Sequence, residues 1–271
     1  MAILKIDFAS KVLGRTVPLE VLIPLESLAE GEKCGCLYLL HGVQGNYINW
    51  LTAGGAYRQL GIYHTASARK LAIVMPSGAN SFYQAPKAAS EEAPLEEDYA
   101  RFIGEELPAF TRQLLPLSSS RQDTYVAGLS MGGYGALRIG LLYPHVFGFA
   151  GGLSAALLTQ DRKAHYREDG GFYEKPAFWE ATFGDLEGIQ EDARDVKSLS
   201  LKLHEAGVEL PKLYIACGKQ DALLPLSREL HESWKDVGIA HRYEERNGGH
   251  DWVFWQWGLS RILHFIGVYF G

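Results

Sequence analysis

The chain has 271 residues, of which 47% are hydrophobic, and a formal net charge of −6. Length and apolar content together suffice for the core of one large α/β domain over residues 1–271, two small ones being the lesser alternative. The acidic balance argues against nucleic acid or an anionic membrane as partner, because both select clustered Lys and Arg, and no apolar run approaches the length of a membrane span. Residues 2–9 (Ile3, Ile6, Phe8) and 16–23 (Val17, Leu19, Val21, Ile23) alternate as two antiparallel strands around a turn near Gly14. The first of them has neither the basic start nor the long apolar stretch of a signal peptide. Cys34–Leu40 is a continuous apolar run, as expected of a buried central strand. It ends in the polar, glycine-rich loop His41-Gly42-Val43-Gln44-Gly45-Asn46. A helix is expected over Ala53–Leu60 and a strand over Leu71–Met75. A long irregular segment at 77–95 follows, of a length that is uncommon and often functional. Leu95–Leu115 reads as a helix bent at Pro108.

The stretch from Asp123 to Pro144 begins as a β-branched and aromatic run, passes Gly128-Leu129-Ser130-Met131-Gly132, and leaves as an apolar helical pattern. Val146–Gly152 is a further strand. Residues 154–200 then break the alternation. Phe172, Tyr173, Phe178, Trp179 and Phe183 lie there among charges and glycines, which fits a small cap over the site or a surface decoration. A strand over Leu213–Cys217 ends in Gly218-Lys219-Gln220-Asp221, and a helix over Ser227–Val237 leads to a last strand, Ala240–Glu245. That strand runs into Asn247-Gly248-Gly249-His250-Asp251-Trp252 and a terminal helix rich in Trp, Phe and Leu. Alternation of this kind gives a mostly parallel twisted sheet with helices on both faces.

Three cysteines do not make a disulfide framework. Cys34 and Cys36 share one face of a single strand and Cys217 lies in another, so a reducing, cytoplasmic setting is the simplest expectation. Cys34-x-Cys36 has no second Cys/His pair at ligand spacing, and neither a metal nor another cofactor is expected.

A serine at the corner of a strand-turn-helix is the nucleophile elbow of α/β-hydrolases. The flanking glycines allow strand and helix backbones to approach where a Cβ would clash. Sites in such sheets form at the carboxyl ends of strands. Ser130, Asp221 and His250 each follow a predicted strand, and their chain order is that of α/β-hydrolases. His250 would take the proton from Ser130 and return it to the leaving group, while Asp221 would fix the imidazole tautomer. His41 is the rival base, but it precedes the serine, and its glycine-rich context suggests another job. Asp251 is too close to His250 in sequence to orient it; Asp185 and Asp195 lie in the excursion. Oxyanion donors are expected from the backbone N–H of Met131 and of Val43, with Gly42 permitting close approach. Trp50, Phe82, Tyr83 and Trp252, in or beside rim loops with Tyr47, are candidates to wall an acyl pocket, core packing being the alternative for each.

The blocks Leu39-Leu40-His41-Gly42, Gly128-Leu-Ser-Met-Gly-Gly-Tyr-Gly-Ala-Leu137, Cys217-Gly-Lys-Gln-Asp221 and Gly249-His250-Asp251-Trp252 resemble the esterase D-like family of α/β-hydrolases. Within it the chain is most similar to the tributyrin esterase type of carboxylesterase, from about residue 15 to the end. The resemblance implies a serine carboxylesterase acting on small, short-chain acyl esters through Ser130, Asp221 and His250, with Val43 and Met131 at the oxyanion. Thioester hydrolysis of the S-formylglutathione hydrolase type would use the same residues. A non-catalytic hydrolase-fold binding module would be expected to lack one of them. A homo-oligomer stays open.

Overall fold

Strands that are apolar without interruption form the middle of the sheet, and strands that alternate form its edge. A computed structural model describes residues 1–31, 33–63, 70–84, 98–158, 171–184 and 193–267. Among the described residues the strands are β1 (Ala2–Ser10), β2 (Arg15–Ile23), β3 (Gly35–Leu40), β4 (Leu71–Pro76), β5 (Thr124–Leu129), β6 (Phe149–Leu153), β7 (Lys212–Gly218) and β8 (His241–Arg246). They make one sheet in the order β1-β2-β4-β3-β5-β6-β7-β8. β2 is antiparallel to β1 and β4, and the remaining pairs are parallel. β3, β4 and β5 are buried at every position because helices cover both faces. β8, at the edge, carries His-Arg-Tyr-Glu-Glu-Arg and exposes part of it, a charged edge that discourages pairing with another chain.

The helices are α1 (Leu25–Glu30), α2 (Asn49–Thr52), α3 (Ala56–Tyr63), α4 (Tyr99–Arg101), α5 (Leu107–Leu114), α6 (Met131–Leu142), α7 (Pro176–Phe183), α8 (Val196–Glu205), α9 (Leu224–Val237) and α10 (Trp252–Phe265). Strand pleating sends alternate residues to opposite faces. Tyr38 and Leu40 of β3 enter a core shared with Leu107, Leu137 and Leu230. Leu37 and Leu39 enter another, with Trp50, Phe254 and Ile262. This is the α/β-hydrolase architecture expected from the sequence.

Three expectations change in detail. The helix expected at 53–60 is α3, begun three residues later and preceded by the short α2, because Gly55 turns the chain at φ 63° between them. The bend expected at Pro108 is replaced by a π-helical turn over Phe102–Glu106 directly before α5, where Pro108 sits in the first turn. The widened turn accommodates a ring without an N–H, and the helical path continues. The excursion after β6 ends sooner than expected, because Asp195 accepts from the N–H groups of Lys197 and Ser198 and starts α8. Residues 85–97, 159–170 and 185–192 lie outside the described residues, so the 77–95 segment and the excursion are described only in part. In the part described, α7 lays Trp179 and Phe183 against Phe82, with ring centroids 5.1 Å away in each case.

Strand order sets where a site can form. The chain runs from β3 outward to β4 on one side and to β5 on the other, so a crevice opens beyond the carboxyl ends of β3 and β5. The His41 loop leaves β3 at that point, and Ser130 leaves β5.

Candidate active site

Ser130 stands between β5 and α6 with φ 53° and ψ −119°, a conformation an L-residue adopts only under constraint. The constraint is steric and local. A Cβ on Gly128 would lie 2.4 Å from the Gly132 carbonyl oxygen, and one on Gly132 would lie 2.5 Å from the Leu40 oxygen. Only glycine lets β5, α6 and the end of β3 meet this closely. The Ser130 N–H is held by the Leu153 carbonyl at 2.9 Å.

The three strand-end residues converge. Ser130 Oγ lies 3.0 Å from His250 Nε2, and His250 Nδ1 lies 2.9 Å from Asp221 Oδ2. The Asp221 carboxylate can only accept, so Nδ1 carries the proton and Nε2 is left to accept from the serine hydroxyl. The Asp221 side chain is 0% exposed and that of His250 is 38% exposed. Burial alone would raise the Asp221 pKa. Hydrogen bonds from His250, the Leu223 N–H and Ser154 outweigh it and hold the carboxyl below its ordinary value. Asp221 therefore stays ionised while dry. The rival acids have other work: Asp251 caps α10 through the Phe254 N–H at 3.0 Å, Asp195 caps α8, and Asp185 lies outside the described residues.

The loop after β3 is braced from several sides. Trp50 Nε1 donates to the Leu40 carbonyl at 2.9 Å, and the Tyr83 hydroxyl donates to the His41 carbonyl at 3.1 Å. His41 is 1% exposed. Its Nε2 accepts from the Gly78 N–H and its Nδ1 lies against the Gly42 carbonyl, both at 2.8 Å. A backbone N–H can only donate, so Nδ1 is the protonated nitrogen. Val43 is partly exposed beside this brace and Met131 is buried at the start of α6. Gly42 is tight: a Cβ there would come 2.7 Å from Leu129 Cδ1 and 3.3 Å from Ser130 Cβ.

Of the four rim aromatics expected to wall a pocket, Trp50, Tyr83 and Phe82 take the core-packing alternative. Trp50 and Tyr83 are 1% and 0% exposed. They pack in the core and hold loop carbonyls instead of facing a ligand. Phe82 is buried among Tyr134, Phe178, Trp179 and Phe183. Trp252 is half-buried between Trp50 and Trp255, and Trp255 is the ring against His250, at 4.9 Å. Ser154 went unread in the sequence. It follows β6 as Ser130 follows β5, is fully buried at φ 45°, and takes the Trp255 indole N–H at 3.3 Å. The strand-end rule that located the other three residues marks it too.

The family model described as "Putative esterase" matches residues 10–266. The chain belongs to the esterase family. It is 36% identical over 273 residues to the acetyl esterase of Caldicellulosiruptor saccharolyticus, covering 98% of each chain. Among solved structures, this esterase superposes on the fluorophosphonate-binding serine hydrolase FphF of Staphylococcus aureus with TM-score 0.83 and 25% identity, covering 99% of each chain. The S-formylglutathione hydrolase FrmB of the same organism follows at TM-score 0.80 and 26% identity, again over 99% of each chain.

Burial lowers the His41 pKa from 6.5 to about 4, against the smaller opposite effect of its bond to Gly42. The unfolded chain therefore takes up a proton that the fold refuses, and this contribution, complete above pH 6.5, is lost as pH falls toward 4. Urea unfolding at pH 7 and pH 4 is expected to show about 2–3 kcal/mol of this loss in the wild type. In His41→Leu it should be missing. An equal pH dependence in both proteins would contradict a neutral His41.

Proposed function

We propose that the chain is a serine carboxylesterase that hydrolyses short-chain acyl esters through an acyl-serine intermediate. The observation that carries this reading is the unbroken relay Ser130 Oγ–His250 Nε2 at 3.0 Å and His250 Nδ1–Asp221 Oδ2 at 2.9 Å. His250 removes the Ser130 proton as Oγ adds to the ester carbonyl, and the imidazolium formed is stabilised by ionised Asp221. The tetrahedral oxyanion is taken by the N–H groups of Val43 and Met131, an interaction worth about 3–4 kcal/mol of barrier per donor. Collapse breaks the carbon–oxygen bond of the ester, and His250 hands the proton to the departing alkoxide. Water, deprotonated by His250 in turn, adds to the acyl carbon, and His250 returns that proton to Ser130 Oγ as the acyl–oxygen bond breaks and the acid leaves.

Esterase family membership over residues 10–266 supports hydrolysis of carboxylic esters. Likeness to an acetyl esterase along nearly the whole chain supports a small acyl group. Three buried free cysteines support a reducing compartment such as the cytoplasm. Among the described residues no helix is long and apolar enough to cross a membrane. The likeness to S-formylglutathione hydrolase favours one second reading, thioester cleavage by the same relay.

Ser130→Ala is expected to cut kcat on p-nitrophenyl acetate by about 10⁴-fold or more with an unchanged circular dichroism spectrum; near-wild-type turnover would refute the nucleophile. Across chromogenic esters, kcat/KM should peak at acetate to butyrate and fall for octanoate. A maximum at octanoate would contradict the short-chain reading, and a kcat/KM higher on S-formylglutathione than on any ester would favour the second.

A further inference from the structure

The hydrolytic reading needs two backbone N–H groups kept on aim while charge develops on the substrate. A peptide unit is planar, so the direction of its N–H is fixed by where its carbonyl, on the preceding residue, is held. The N–H of Val43 shares its plane with the Gly42 carbonyl, and that of Met131 with the Ser130 carbonyl. Each of these carbonyls accepts two hydrogen bonds. The Ser130 oxygen takes the N–H groups of Tyr134 and Ala156, both at 3.0 Å. The Gly42 oxygen takes the Gly45 N–H at 3.0 Å and His41 Nδ1 at 2.8 Å. Three of the four donors are backbone groups, supplied by α6, by the turn at Gly45 and by the stretch after β6. The fourth is a side chain, and its other nitrogen is tied to the Gly78 N–H beyond the end of β4.

We infer that His41 is a positioning residue of the oxyanion hole, its Nδ1–H holding the Gly42–Val43 peptide plane so that the Val43 N–H stays directed at the substrate oxygen. This rests on the assignment of Ser130 as nucleophile. Donation into the Gly42 carbonyl also polarises that peptide, making its N–H a stronger donor. Both effects act on charge that exists only in the transition state, so they fall on kcat rather than on KM. The ring cannot exchange its roles, because the Gly78 N–H requires a bare Nε2. Burial lowers its pKa to about 4, which keeps it from protonating at both nitrogens near neutral pH.

The test compares three variants, with turnover counted per active site by complete fluorophosphonate labelling. His41→Leu preserves bulk and should lower kcat on p-nitrophenyl acetate by about 10- to 100-fold, with KM unchanged within about twofold. His41→Asn puts an amide donor near the position of Nδ1 and should recover most of that loss. His41→Gln reaches only the position of Nε2 and should not. Wild-type kcat per labelled site in His41→Leu would overturn the inference, as would equal activity of the Asn and Gln variants. Should His41→Leu fail to fold, the Asn and Gln pair decides it. Nitrogen-15 spectra of the wild type supply a separate readout: Nδ1 should be protonated and Nε2 bare at pH 7, and the opposite tautomer would also overturn it. Failure of the underlying reading is seen elsewhere, as activity persisting in Ser130→Ala.

Discussion

A single backbone conformation, φ 53° and ψ −119° at Ser130, is what the surrounding structure is arranged to hold. A residue with a Cβ in that region costs of the order of 1–3 kcal/mol, and the cost is met by over-determination. The Ser130 N–H is bonded to Leu153, its carbonyl accepts from Tyr134 and Ala156, and Gly128 and Gly132 leave no room for the turn to relax outward. The same close approach presses α6 on the ends of both β3 and β5. A Cβ on Gly132 would strike the carbonyl oxygens of Leu40 and His41 at 2.5 and 2.6 Å. The serine and the loop after β3 are therefore one packed unit.

Around that unit, burial is graded according to task. Asp221 is dry and ionised by hydrogen bonding, which suits a group that must stay charged and still. His250 is partly exposed, open to the solvent side of the site. Ser154 links Asp221 to the Trp255 indole, and Trp255 in turn lies against the His250 ring. Burial lowers the His41 pKa to about 4 and keeps that ring neutral. Two histidines a few residues from strand ends thus differ in solvent access, His41 being buried and His250 partly exposed.

Much of this was legible in the sequence because it depends on local rules. A turn residue following a predicted strand in a parallel sheet must lie on the carboxyl rim, which located Ser130, Asp221 and His250 and would have located Ser154. The aromatic residues were less legible. Trp50 and Tyr83 sit in loop and short-helix sequences that read as rim, but loops beside β3 fold back over the sheet and bury them. Whether such a ring meets substrate or backbone depends on tertiary packing, which no periodicity encodes. Phe82 and Tyr83 both adopt positive φ, 51° and 52°, a feature of that packing with no sequence signature. His41 was recognised as unlike a base, and its brace between Gly42 and Gly78 needed the β3–β4 neighbourhood to be seen.

The hydrolytic mechanism is tested most directly by the crystal structure of the enzyme inactivated with a small alkyl fluorophosphonate. Phosphorus should be bonded to Ser130 Oγ, with one phosphoryl oxygen about 2.7–3.1 Å from the backbone nitrogens of both Val43 and Met131. An adduct on another residue, or a phosphoryl oxygen directed away from those two nitrogens, would contradict it.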